Sequence, residues 1–153
     1  MEAYKRWTPA VHAAAYRVLD HPADLWLEVS GATLPQLFEH GLLALYDNLV
    51  ALSTVRLTES RAVAAQGVTA ALALRALLAE ALFLFDTEGF LAAGARVTVE
   101  AGLPIAVGAE LYGEPLDRDR HELLTEVKAV TYHRLQAEAH PDGSWRAAVL
   151  LDV

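Results

Sequence analysis

Cysteine is missing from this 153-residue chain, and its absence removes disulfides, thiolate metal ligands and cysteine nucleophiles together. Positive charge is scarce: 12 Lys and Arg stand against 20 Asp and Glu, a net charge of −8. A field of that sign argues against non-specific nucleic-acid binding by this surface, so any role on RNA is expected to run indirectly, through a basic partner. Uninterrupted apolar runs are lacking too. The longest, Val68 to Phe85, is broken by Arg75 and Glu80 and sits at the short end of a membrane span, so it reads as a core helix. Trp7 to Tyr16 follow Lys5 and Arg6 without the apolar stretch or small-residue cleavage site of a signal peptide. No Gly-rich phosphate loop, Gly-x-Ser-x-Gly elbow or His-Glu-x-x-His helix occurs. The expectation is a cytoplasmic chain with no membrane partner and no conventional active site.

What is present suits one globular domain. Hydrophobic residues make up 54% of the chain, and a chain of this length can bury roughly two thirds of the surface its unfolded form exposes. Residues 1–15 show no strong period and read as an N-terminal arm that need not be ordered; residues 16–153 form the domain. A short strand from Tyr16 leads to a polar knot, Asp20-His21-Pro22-Ala23-Asp24. After it Leu25, Leu27 and Val29 alternate with Trp26, Glu28 and Ser30, as in a strand with one buried face. Thr33 with Gln36 three residues on, and Pro35 in the first turn, starts a helix running to about Val50. Thr54 to Ala65 reads as a strand. A second helix, about Thr69 to Phe85, is apolar nearly all round and is expected to be the central one, ended by Gly89 with φ > 0. Strands then dominate: 96–101 and 105–111 as a hairpin, 127–132 after a charged loop at 114–122, and two more around the turn Pro141-Asp142-Gly143-Ser144. This order predicts an α+β fold with two helices packed on antiparallel or mixed β-sheet.

Asp20, His21 and Asp24 are open to three readings: metal ligands, acid/base groups, or turn residues whose carboxylates accept backbone N–H bonds, the last favoured by Pro22. Asp24 stands at the mouth of a half-buried strand, where a carboxylate needs a cation or donors. The sequence closes on Asp152-Val153, so a terminal carboxylate beside an aspartate is expected. With Asp24 it would make an oxygen-only donor set suited to a hard cation, Ca²⁺ first, Mg²⁺ or Mn²⁺ as alternatives; a frayed, solvated terminus is the plainer reading. His121 and His133 lack metal-ligand spacing and read as surface or hydrogen-bonded histidines. Asp86 and Glu88 read as a solvated helix end.

Four separated stretches resemble one family. Asp20-His21-Pro22-Ala23-Asp24-Leu25 is similar to the His-Thr-Ala-Asp-Ile motif of the archeases, and Leu82 to Phe90 to the end of their second helix. Glu126-Val127-Lys128-Ala129-Val130-Thr131-Tyr132-His133 resembles their Lys-Ala-x-Thr-Tyr-His strand, and Asp152-Val153 their terminus. The resemblance implies a non-enzymatic activator of an RtcB-type RNA ligase in tRNA splicing and RNA repair, promoting guanylylation and turnover of the ligase through a bound divalent metal. It implies Asp24, Asp152 and Val153 as metal ligands and His21, Lys128, Tyr132 and His133 as the surrounding partner surface. The family's threonine is Pro22 here, which removes a hydroxyl and an N–H, and Trp26 replaces a smaller residue. Two rival expectations stand beside this one: a chaperone-like modulator of an RNA-modifying enzyme such as a tRNA methyltransferase, and a metal-dependent hydrolase with His21 or His133 as general base.

Overall fold

Local signals fix the helices. The computed structural model describes residues 6–19 and 24–153. Thr8, Thr33 and Thr69 each cap a helix by accepting a backbone N–H three residues on, and the helices are α1 (Pro9–Ala15), α2 (Leu34–Leu49) and α3 (Ala70–Glu88). Gln36 completes the box on α2, its Oε1 accepting the Ala32 amide at 2.6 Å. α3 stops at Gly89, whose φ of 69° places it in the left-handed region expected of a glycine C-cap.

Among the described residues the strands are β1 (Tyr16–Leu19), β2 (Leu25–Gly31), β3 (Glu59–Gly67), β4 (Phe90–Glu100), β5 (Ile105–Pro115), β6 (Ala129–Val130), β7 (Gln136–Ala139) and β8 (Trp145–Asp152). All the pairings are antiparallel. One sheet has the order β3-β5-β4; the other runs β1-β2-β8 and is completed by β6 and β7, which pair in turn with the far edge of β8. β8 is therefore an inner strand, and the alternation of Leu25, Leu27 and Val29 on β2 meets that of Ala147, Val149 and Leu151 on β8. The α+β architecture holds, with antiparallel sheets.

Three details differ from the sequence reading. Residues 6–15 are ordered against the body: Trp7 is buried, its amide donates to Ala93 O at 2.9 Å and its Nε1 to Glu39 at 3.1 Å. α2, not α3, is the central helix. Both helices contact strands of both sheets, but α2 is buried along most of its length against β2 and β4, whereas α3 leaves Phe83 exposed. The strand expected at 127–132 shrinks to the two residues of β6, because the chain leaves the edge of β8 after Val130 and rejoins it at Gln136. Among the described residues no helix is long and apolar enough to cross a membrane.

Candidate functional site

The end of β8 gathers most of the residues singled out in the sequence. Leu25, the first residue of β2, lies opposite Leu151 on β8, so Asp24 immediately precedes this pair on one chain segment and Asp152 immediately follows it on the other. On the other edge Asp152 faces Ala129, and the Lys128 amide donates to Asp152 O at 2.7 Å. Lys128 is exposed. Asp152 and Val153 are exposed where β8 ends.

Beyond Val130 the chain swings outward. Thr131 holds the departure, its amide and hydroxyl both donating to Leu150 O, at 3.0 and 2.9 Å. The excursion that follows presents Tyr132, 64% exposed, and His133, whose amide is held by Thr131 Oγ1. Arg134 has φ 55°, a left-handed conformation that costs a side-chain-bearing residue free energy and occurs most often where a site needs it.

Two arginines that the sequence reading passed over brace this excursion. Arg75, read there only as a charge interrupting an apolar run, donates through Nε to Val130 O at 3.1 Å and lays its guanidinium 4.1 Å from the centre of the Tyr132 ring. Arg134 lies 5.2 Å from the centre of the Trp26 ring, on the strand that Asp24 introduces. Such cation–aromatic contacts contribute on the order of 0.5–1 kcal/mol each at exposed positions. No local sequence signal links Arg75 to Tyr132.

His21, with Asp20 and Pro22, lies outside the described residues. Among the described residues, no three His, Cys, Asp or Glu side chains gather into a metal cluster. Asp24 and Asp152 each carry oxygen donors only, which in kind suit a hard divalent cation.

Two other polar groups turn out otherwise employed. His121 is buried: its Nδ1 accepts the Asp117 amide at 2.9 Å, so its Nε2 carries the proton and donates to Glu114 at 2.8 Å. Glu114 also takes a bidentate pair from Arg120 and the Arg56 amide. Glu88 accepts from Arg61 at 3.2 Å at the exposed end of α3, and Asp86 is exposed beside it.

The model of the Archease protein family (MTH1598/TM1083) matches residues 16–153. The chain belongs to the archease family. The protein archease of Pyrococcus abyssi is 35% identical over 135 residues, covering 88% of this chain and 95% of the relative. That of Archaeoglobus fulgidus is 35% identical over 138 residues, covering 90% and 98%. The solution structure of Methanobacterium thermoautotrophicum protein 1598 superposes with a TM-score of 0.78 at 29% identity, over 92% of this chain and 99% of that one. An archease fold thus accounts for the domain from Tyr16 onward, and α1 precedes the matched region.

Proposed function

We propose that this archease is a non-enzymatic activator of an RtcB-type RNA ligase, promoting its guanylylation and turnover through a divalent cation held by Asp24, Asp152 and the Val153 carboxylate. The observation that supports the reading is the β2–β8 register, in which Leu25 and Leu151, the chain neighbours of Asp24 and Asp152, face each other although the two aspartates lie 128 positions apart in sequence. Three oxygen donors leave room in the coordination shell of Ca²⁺, which takes six to eight, for a group from the partner. Bound there, the metal would supply positive charge on an otherwise acidic protein, at the point where a nucleotide-handling enzyme could use it.

This chain's own residues do the rest. Lys128 offsets part of the negative charge beside Asp152. Tyr132 and His133, held out by Arg75 and Thr131, form the rim that meets the ligase, with His21 as a further contact. Ligase guanylylation would be measured with the wild-type protein, with Asp24→Ala and with a version extended beyond Val153, each with and without chelator. The wild type should stimulate only with metal present, and both variants should lose most of the stimulation. Full stimulation by both variants would remove the metal from the mechanism, and stimulation that survives chelation would favour a chaperone-like role instead.

A further inference from the structure

A second concave site lies at the opposite end of β8, about 23 Å from Asp152 at 3.3 Å per residue along the strand. It is a cavity of about 320 Å³ lined by Ser30, Gln36, His40, His140, Arg146 and neighbouring small residues, with Ala14 of α1 in its wall. Among the described residues no carboxylate lines it, although Asp142 sits at its edge beside His140.

The unusual member is His40. It is only 8% exposed, and its Nδ1 lies 2.6 Å from Ser30 O. A carbonyl only accepts, so Nδ1 carries a proton and the ring is locked in one orientation. Nε2 has no hydrogen-bond partner among the described residues, although His40 is one of the side chains lining the cavity. Gln36 is oriented in the same way: its Oε1 is taken by the Ala32 amide, which leaves the amide N–H₂ as a donor. Arg146 and His140 add cationic or donor groups. The Ser144 hydroxyl is spent on Asp142, to which it donates at 2.6 Å. Glu138 faces Arg146 across the β7–β8 ladder, and Glu28 lies near enough to feel its charge, so the guanidinium is partly but not fully balanced.

We propose that this cavity binds the phosphate group of a small phosphate monoester, with Arg146 and Gln36 donating to its oxygens and His40 Nε2 sharing its proton. A monoester matches the set because its second ionisation falls near neutral pH. One proton serves between ligand and ring: either P–OH donates to Nε2 of the uncharged imidazole, or the imidazolium donates to the dianion. The remaining volume, at the small end of ligand cavities, admits a sugar-sized body beside Trp145.

The test is a titration of the metal-free protein with ribose 5-phosphate and, separately, inorganic phosphate, followed by the imidazole nitrogen resonances of His40 and His140. Saturable shifts at both histidines are expected. Tighter binding of ribose 5-phosphate than of inorganic phosphate is expected, and equal binding would overturn the assignment to a monoester. Arg146→Ala should weaken binding about tenfold or more, the loss of one charge-assisted hydrogen bond. His40→Asn keeps a donor for Ser30 O and removes the cavity-facing nitrogen, so it should weaken binding similarly; should it fail to fold, Arg146→Ala alone decides. Asp152→Asn should bind as the wild type does, which separates this site from the one at the other end of β8. No saturable shift with either ligand, or undiminished binding by Arg146→Ala, would overturn the proposal.

Discussion

At the scale of single residues, Glu114 shows how far a charged side chain can depart from its usual place. Burial pushes its carboxyl pKa up, but donation by Arg120, the Arg56 amide and His121 outweighs that and brings it from 4.5 down to about 2. A depressed carboxylate stabilises the folded state above its unfolded value, and that stability is lost as pH falls through the folded one. The contribution should therefore be complete above about pH 4.5 and decay between there and about pH 2. Glu114→Gln is expected to cost about 3 kcal/mol at pH 7, since it leaves the buried His121 and the half-buried Arg120 without their carboxylate. It should also flatten the acid limb of stability against pH, read by urea unfolding across that range. None of this was legible locally. Glu114 opens a run rich in charge, and such runs are usually solvated; only the fold reveals that its side chain points inward while Arg120 and His121 fold back over it.

At the scale of elements, the helices were legible because their signals are local: Thr33 with Gln36, Thr69, and Gly89 act within a turn of themselves. α1 carries the same kind of signal, Thr8 before Pro9, but over seven residues without a clear apolar stripe it does not stand out. Its attachment depends on an irregularity in β4, where the register slips between Ala92 and Gly94. The extra residue, Ala93, offers its carbonyl to the Trp7 amide. Trp7 is 4% exposed, so Trp7→Ala should cost about 3–5 kcal/mol in chemical denaturation. Metal binding at the far end of β8 should be unchanged. The short length of β6 has a similar long-range cause. Period-2 alternation across 127–132 suggests a strand, yet Val127 and Val130 are both buried, an odd spacing that straight alternation does not allow. The left-handed turn at Arg134 then belongs to the excursion that carries Tyr132 and His133 outward.

At the scale of the whole molecule, an acidic protein with no cysteine carries its two candidate aspartates at the borders of β2 and β8, strands far apart in sequence that pair across one inner seam. Residue types made Asp24 and Asp152 candidates for a hard cation, and family resemblance joined them; the structure adds that their neighbours Leu25 and Leu151 face each other across β2 and β8. Such a link is invisible to periodicity, because register between strands so distant in sequence is set by the core they share. The same strand ends at its other extremity in the cavity around His40, so β8 ties two polar sites to one buried scaffold. The central claim, that Asp24 and Asp152 form one cation site, is tested most directly by calorimetric titration of Ca²⁺ and Mn²⁺ into the wild type, Asp24→Asn, Asp152→Asn and the double variant. Two walls of one site are coupled, so each single change should abolish most of the binding and the double variant should be no worse than either. Wild-type affinity in either single variant would contradict the account.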